Sequence, residues 1–229
     1  MNKHDMNQLI SYLSGFVTSE RLGKMKSVLA ERTRYITIAL EDIYQPHNAS
    51  AVLRSCDAFG IQDVHIIENR NSYQVNPKVE LGTRQWLTLH RHSQSDHNTA
   101  EAVADLKAQG YRIVATSPHA QDVDLEQFDL SAGKAAFLFG NELDGLSPAA
   151  QELADEFVKI PMFGFVESFN ISVSCAITLH HLVHALRAAG IDWHVSDDEH
   201  DTLLLQWLRT SIKNCETIEK QFIQEENNS

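Results

Sequence analysis

The stretch IPMFGFVESFNISVSCAITLHHL, residues 160–182, joins an irregular loop to the most apolar helical pattern in the chain. Its second half places apolar residues at helical spacings, which predicts a helix over 168–189. Its first half follows a strand-like segment and contains a proline, a glycine and two aromatics. Ser168 and Asn170 stand where the helix would begin, and both residue types are common N-caps. A helix cap is therefore the simplest interpretation of this loop, and the rest of the chain decides whether it does more.

Strand and helix patterns alternate along the middle of the chain. Six strands are predicted, at 35–42, 63–68, 86–92, 112–117, 135–140 and 156–161. Helices are predicted at 6–32 (one or two helices), 48–60, 99–110, 147–154, 168–189 and 197–224. This alternation is typical of an α/β domain whose mostly parallel sheet is flanked by helices. We expect such a domain at 34–190, with helical extensions at 1–33 and 191–229.

Composition and cysteine use are those of an ordinary globular protein. The chain has 229 residues, of which 43% are apolar and 22% charged. No apolar run reaches the length of a membrane span, and the N-terminus lacks the apolar region of a signal peptide. Cys56, Cys175 and Cys215 lie far apart and form no CxxC pair, so neither a disulfide framework nor a zinc knuckle is indicated. We expect a cytoplasmic protein with no membrane partner and no metal.

The charge of the chain is acidic overall but uneven. A net charge of −12 argues against nucleic acid, which binds to cationic surfaces. The first 60 residues, however, carry seven Lys and Arg against six Asp and Glu. They include SERLGKMKSVLAERTRY (19–35), whose basic residues are Arg21, Lys24, Lys26, Arg32 and Arg34. Taken by itself, this basic segment is most simply the solvated face of an amphipathic helix.

Chemistry is expected in the loops that follow the predicted strands, because open α/β sheets bind ligands at the carboxyl ends of their strands. These loops are PHN (46–48), SPHAQ (117–121), GNELDG (140–145) and PMFGFVESFN (161–170). Neither a GxGxxG fingerprint nor a Walker lysine is present, which argues against other nucleotide-binding α/β proteins. His180 and His184 have metal-ligand spacing, but no third ligand completes a zinc motif. Arg54, judged alone, would be a surface group or part of a buried salt bridge.

Three motifs, in their order and spacing, resemble those of the SpoU/TrmH family of RNA 2′-O-methyltransferases, in the SPOUT superfamily. They are PHNASAVLRSCDAFG (46–60), FLFGNELDGLS (137–147) and IPMFGFVESFNISVSCAITL (160–179). With the order of strands and helices, the resemblance covers about residues 20–190. It implies an α/β fold in which the C-terminal part of the domain passes through a loop as a deep trefoil knot, a rare topology. It also implies a homodimer.

The resemblance implies that S-adenosylmethionine is the cofactor and that it binds, in a bent form, in the knotted loops. The cofactor contacts that it implies are Thr116, Gly140, Ile160, Met162 and Phe169. The opening loop would then be a cofactor clamp made largely of backbone N–H and C=O groups, with Gly164 permitting an unusual turn. Phe169 stands where the family usually has Leu, and Asn141 where Gln or Ala is frequent. Both departures are tolerable in a clamp that works through the backbone.

The resemblance further implies which residues take part in the reaction: Arg54, Asn48, Glu142, Ser168 and Asn170. Arg54 matches the arginine that activates the ribose hydroxyl and would complete the site across the dimer interface. A guanidinium normally stays protonated. Either its pKa is strongly lowered in the assembled site, or it steers the target phosphate while the proton leaves by another route. Alignment of oxygen, methyl carbon and sulfur could lower the barrier by up to about 7–11 kcal/mol without a metal.

The substrate that the resemblance favours is tRNA, at the 2′-hydroxyl of guanosine 18 in the D-loop. The N-terminal helix and its basic segment match the enzymes with that activity, so Arg21, Lys24 and Lys26 are the expected RNA contacts. Another tRNA position, ribosomal RNA and an RNA-binding domain without turnover are the alternatives. The intact set of five reaction residues argues against the last of these.

The implied homodimer is expected to use the helix at 168–189 together with the first-motif helix. Apolar side chains on the long helix could supply interface area. These side chains are Ile177, Leu182, Val183 and Leu186.

Overall fold

The computed structural model describes residues 2–74, 76, 78, 82–95, 97–117 and 122–227. Of the loop predicted at 117–121, all but the first residue lies outside the described residues. The chain divides into two compact units: Met1–Arg32 with His194–Ser229, and Thr33–Trp193. The first unit is helical, and the second contains the sheet.

The described residues form eight α-helices and seven strands. The helices are α1 Lys3–Ser14, α2 Ser19–Leu29, α3 Pro46–Ala58, α4 Asn98–Ala108, α5 Pro148–Leu153, α6 Ile171–Ala188, α7 Asp197–Ser211 and α8 Cys215–Asn227. The strands are β1 Ile36–Glu41, β2 Asp63–Ile67, β3 Thr88–His92, β4 Arg112–Thr116, β5 Val123–Asp124, β6 Ala135–Phe139 and β7 Glu156–Lys159. Short 3₁₀ turns lie at Thr83–Trp86, Leu125–Gln127 and Leu130–Ala132. Within this part of the chain, no helix is both long and apolar enough to cross a membrane.

The seven strands form one parallel sheet in the order β3-β2-β1-β6-β4-β7-β5. In its centre, Ile38 of β1 pairs with Val64 of β2 on one side and with Phe137 of β6 on the other. Every residue of β1, β2 and β6 is buried. Helices cover both faces of the sheet. Strands that are buried on both faces are continuous apolar runs in sequence. The prediction of a mostly parallel sheet flanked by helices is confirmed, and β5 is a short strand that the pattern did not indicate.

Two apolar clusters lie on opposite faces of the sheet. Ile38 packs in the cluster that includes Val52 of α3 and Leu179 of α6. The next residue, Ala39, packs in the cluster that includes Val103 of α4. Successive strand residues point to opposite faces, so β1 supplies both clusters. The sheet therefore holds α3 and α6, which carry two of the three motifs, on one face.

The apolar stripe that was expected to supply a dimer interface is largely used inside the chain. Leu182, Val183 and Leu186 are buried in the cluster between α3, α6 and the sheet, and Ile177 packs partly buried against it. The expectation that this stripe offers interface area is wrong for Leu182, Val183 and Leu186, because these positions of α6 face the protein's own core. The exposed side of α6 carries residues such as His184.

The helical unit is built around α7, which packs against α1 and α2. Trp207 of α7 and Arg32 are both buried, with the guanidinium carbon 5.3 Å from the ring centroid. The terminal helix predicted at 197–224 is instead two helices. The chain leaves α7 in an extended conformation at Ile212, and Asn214 adopts a left-handed φ of 57° that interrupts the helix. The N-terminal pattern is likewise two helices, α1 and α2.

Candidate active site

A cavity of about 380 Å³ opens at the carboxyl ends of β4, β6 and β7. Its volume lies in the range of about 300–1,000 Å³ that is usual for small-molecule sites. Open α/β sheets bind ligands at the carboxyl ends of their strands, and the loops after β6 and β7 supply much of the cavity wall here. All five residues expected to contact a cofactor line it: Thr116, Gly140, Ile160, Met162 and Phe169.

The loop after β6 is a closed turn that forms one wall of the cavity. The Asn141 amide donates to the Gly145 carbonyl at 3.1 Å, and the Gly145 amide donates back at 3.2 Å. The Asn141 side-chain oxygen accepts from the amides of Leu143 and Asp144 at 2.9 and 2.7 Å. A Cβ on Gly140 would lie 2.0 Å from the carbonyl carbon of Gly145. The turn therefore requires glycine at its first position.

This turn presents Glu142 to the start of α3. Asn48 donates from Nδ2 to Glu142 Oε1 at 2.6 Å, and Asn170 donates from Nδ2 to Asn48 Oδ1 at 3.2 Å. The Tyr44 amide donates to Glu142 Oε2 at 3.3 Å. Asn48 is only 4% exposed, so both ends of its amide are held. The fold thus joins one predicted reaction residue from each of the three motifs in a single hydrogen-bonded network.

Asn170 has a second role as the N-cap of α6. Its Oδ1 accepts from the amide of Ser172 at 2.9 Å and from its hydroxyl at 2.7 Å. The helix begins at Ile171, so Ser168 and Phe169 remain in the loop and line the cavity. The cap interpretation is correct for Asn170 and wrong for Ser168. The loop is at once a helix start and a cavity wall.

Gly164 does not adopt the conformation expected of it. Its φ is outside the left-handed region in which the positive-φ glycines of this chain lie. A Cβ at this position would meet nothing within 4 Å. The expectation that glycine permits an unusual turn here is therefore wrong. The irregular path of the loop is compatible with an ordinary L-residue.

Arg54 stands apart from the other four predicted reaction residues, of which three form the network and Ser168 lines the cavity. It is exposed on α3 and is not among the residues that line the cavity. It lies six residues beyond Asn48, about 9 Å along the helix and about 120° around its axis. Arg54 and Asn48 therefore face different surroundings on the same helix.

The predicted RNA contacts Arg21, Lys24 and Lys26 are all exposed on α2 of the helical unit. The other two members of the basic segment differ. Arg32 is buried against the α7 indole, and Arg34 pairs with the carboxylate of Asp63 at 2.7 Å. The exposed basic surface of this segment is shorter than the sequence indicated.

The cavity contains side chains that sequence patterns did not single out. Asp144 and Glu167 add carboxylates to that of Glu142, and Ser174 and Thr178 add hydroxyls from α6. The positions of Ser174 and Thr178 at the cavity could have been predicted, because their four-residue spacing places them on one side of the helix that follows the loop. Carboxylates, hydroxyls and apolar side chains at one cavity suit a ligand that combines a cationic centre with polar groups and an aromatic ring. This composition fits S-adenosylmethionine.

Metal ligands are not evident in the part of the chain that the structure describes. It contains no group of three or more His, Cys, Asp or Glu side chains that could hold a metal ion. The rings of His180 and His184 have centroids 4.6 Å apart and are tilted relative to each other.

Comparison with known proteins agrees with the motifs and the fold. Residues 35–180 match the SpoU rRNA Methylase family. A tRNA (guanosine(18)-2′-O)-methyltransferase from Borreliella burgdorferi is 41% identical over 94% of this chain and 96% of its own length. The Aquifex aeolicus TrmH/SpoU tRNA modifying enzyme superposes with a TM-score of 0.75 and 26% identity, covering 85% of this chain and 98% of its own. AviRb of Streptomyces viridochromogenes is a SpoU methyltransferase solved in complex with AdoMet. It superposes with a TM-score of 0.59 and 27% identity, covering 72% of this chain and 65% of its own. With its motifs at the carboxyl edge of the same type of sheet, this chain belongs to the SpoU rRNA methylase family.

Proposed function

We propose that this chain is an S-adenosylmethionine-dependent methyltransferase that modifies the 2′-hydroxyl of guanosine 18 in the D-loop of tRNA. The observation that carries the proposal is the meeting of all five expected cofactor residues at one cavity beside the Glu142–Asn48–Asn170 network. The substrate is supported by the relative named for this activity, which is similar over nearly the whole chain.

The cavity is assigned to the cofactor, which would supply an electrophilic methyl group on a sulfonium. Ile160, Met162 and Phe169 would surround it from the loop after β7. The carboxylate of Glu142 is at the same wall, where it would offset the positive charge. The Thr116 hydroxyl donates to the Leu138 carbonyl at 2.7 Å and so fixes the ends of two neighbouring strands. These residues bind and orient, which is the main requirement of an in-line transfer.

The reaction residues divide into a network and a contribution from a second copy. Glu142, Asn48 and Asn170 hold the loops in register, and Ser168 lies at the cavity wall where the target nucleotide would enter. Arg54 lies away from that wall in its own chain. We therefore assign it to the cavity of a partner copy, where it would act on the ribose hydroxyl or its phosphate.

Four properties of the whole protein accompany this proposal. The chain would form a homodimer through the exposed surfaces of α3 and α6. The segment with the loops after β6 and β7 would form the deep trefoil knot, as family membership supports. The N-terminal extension at 1–33 would contact tRNA through Arg21, Lys24 and Lys26, whose exposure permits it. A tRNA substrate also implies a cytoplasmic location.

The direct test is methylation of an unmodified tRNA transcript with radiolabelled S-adenosylmethionine, followed by mapping of the modified nucleotide. One methyl group on guanosine 18 is expected. A matched transcript with 2′-deoxyguanosine at that position should accept none, because the acceptor oxygen is missing. Methylation at another tRNA position, or of ribosomal RNA alone, would contradict the assigned substrate. Cofactor binding without turnover on any RNA would support the non-catalytic alternative instead.

A further inference from the structure

Glu41, the last residue of β1, is a buried carboxylate that none of the sequence motifs includes. It is 2% exposed. Its Oε1 accepts from the hydroxyls of Thr99 and Ser147 at 2.6 and 2.7 Å, and its Oε2 accepts from the Ser147 amide at 2.8 Å. A carboxylate is costly to bury unless it is well hydrogen-bonded, and three donors meet that requirement.

Ser147 is the residue at which the cavity-lining loop after β6 ends. It is the N-cap of α5, where its hydroxyl accepts from the Ala150 amide at 3.1 Å. The loop begins at Gly140, directly after β6, which pairs with β1. The loop starts from β6, and Glu41 holds its other end, at Ser147, to the neighbouring strand β1. Between these two fixed points, the loop carries Glu142 to Asn48.

The next residue, Asp42, ties a second loop to the same place. It is buried with a left-handed φ of 51°, and its Oδ1 accepts from the amides of Asn69, Arg70 and Asn71 at 2.7, 2.8 and 3.2 Å. Arg70 Nη2 lies 3.4 Å from Asp144 Oδ2 in the cavity-lining loop. The ion pair between the exposed Arg70 and Asp144 stabilises little. The hydrogen bonds of Glu41 to Ser147 are therefore the main link between β1 and the cavity-lining loop.

We propose that Glu41 is a positioning residue for the cofactor cavity, acting through Ser147 on the loop that presents Glu142. Glu41 does not itself line the cavity. Without its carboxylate, the amide and hydroxyl of Ser147 lose their acceptor, and the loop end is no longer held to β1. The identity of the ligand rests on the proposed function, but the attachment of the loop does not.

The first test measures the loop without any ligand. Glu41→Gln keeps the shape of the side chain but replaces one acceptor oxygen by a donor. Hydrogen–deuterium exchange of the ligand-free variant should be faster at residues 141–147. Asp63→Asn is the matched control, because Asp63 is a buried carboxylate at the opposite end of the sheet, where it pairs with Arg34 and His90. Unchanged exchange at 141–147 in Glu41→Gln would overturn the proposal, whatever the ligand is.

The second test separates positioning from general stability. Calorimetric titration with S-adenosylmethionine should show about tenfold weaker binding in Glu41→Gln, as expected for the loss of a hydrogen bond to a charged group. Asp63→Asn should melt at a lower temperature but bind like the wild type. Equal loss of binding in both variants, or none in Glu41→Gln, would overturn the proposal.

Two further outcomes are covered by these tests. If Glu41→Gln does not fold, Ser147→Ala should change exchange and binding in the same direction. It removes the hydroxyl's hydrogen bond to Glu41 together with its cap bond to the Ala150 amide, and it keeps the amide bond to Glu41. No effect of that variant on exchange or binding would also overturn the proposal. A wild-type protein that does not bind S-adenosylmethionine would contradict the proposed function, and the exchange experiment would then decide on Glu41 by itself.

Discussion

Asn170 shows how much one side chain contributes at the scale of a residue. Its oxygen caps α6, and its amide nitrogen donates to Asn48 on another helix. The cap could be predicted because it depends on residues two positions apart. The second contact joins residues 122 positions apart. At this scale, local hydrogen bonding is read from the sequence, and long-range partners come only from the resemblance or the fold.

Arg54 provides the sharpest prediction for a single residue. Arg54→Ala should abolish methylation and leave both cofactor affinity and melting temperature nearly unchanged, because the side chain is exposed and outside the cavity. Arg54→Lys should not restore activity, since an ammonium cannot reproduce the planar guanidinium fork. Single-turnover methylation, calorimetry and thermal melting check these outcomes. Lys107→Ala is the control: it removes an exposed cation of α4 that pairs with Asp155 at 2.7 Å, and it should methylate and bind cofactor like the wild type. Near-normal methylation by Arg54→Ala would remove Arg54 from the mechanism.

His65 makes a prediction about acid stability. Burial above all, and then the charges of His90 and His92, lower its pKa to about 3. In the unfolded chain the pKa is about 6.5, so between these values the unfolded state binds a proton that the folded state excludes. The free energy of unfolding should therefore fall by up to about 1.4 kcal/mol for each pH unit from about pH 6.5 towards pH 3.

Urea unfolding of the wild type and of His65→Gln between pH 7 and pH 4 tests this prediction. The variant should show a shallower decline of unfolding free energy as the pH falls, because its unfolded state lacks the imidazole that would bind the extra proton. His4→Gln, a substitution of an exposed histidine, should leave the wild-type slope unchanged. Parallel slopes for the wild type and His65→Gln would show that His65 is not the group responsible.

At the scale of an element, the turn after β6 depends on a single glycine. Gly140→Ala would place a Cβ 2.0 Å from the Gly145 carbonyl carbon, so the backbone must move. We expect a loss of about 3 kcal/mol in unfolding free energy, at the upper end of typical overpacking. Cofactor binding should also be lost. Gly164→Ala is the matched control in the other cavity loop, where nothing lies within 4 Å. Chemical denaturation and calorimetry that show similar behaviour of the two variants would contradict this account.

The helices and strands themselves were largely predictable because their signals are local. Buried parallel strands are apolar runs between turn residues, and the six predicted strands match β1–β4, β6 and β7. The missed element, β5, has two residues and no periodicity of its own. The terminal helix was predicted as one because its apolar spacing continues past Asn214, whose left-handed conformation cannot be inferred from that spacing.

At the scale of the whole molecule, the proposed homodimer predicts that two inactive variants restore each other. In a mixture of Arg54→Ala and Glu142→Ala chains, the Glu142→Ala copy would supply Arg54 to the intact cavity of its partner. Refolding equal amounts together should recover about a quarter of the wild-type activity, since random pairing leaves one complete site in each mixed dimer. Mixing without refolding is the control. A monomer by light scattering, or no recovery from a dimer, would contradict a site shared between copies.

The resemblance that the three motifs carry implied the residues that line the cavity, whereas the sequence by itself determined the α/β class, most elements and the three motifs. These features depend on periodicity, turn chemistry and motif spacing, all of which are carried by neighbouring residues. Tertiary structure alone decided that most of the apolar stripe of α6 faces the core and that Glu41 holds Ser147. The last contact spans 106 residues and exists because β1 and β6 are neighbours in the sheet. No local sequence pattern encodes the pairing of β1 with β6, because strand order depends on how helices pack on both faces of the whole sheet.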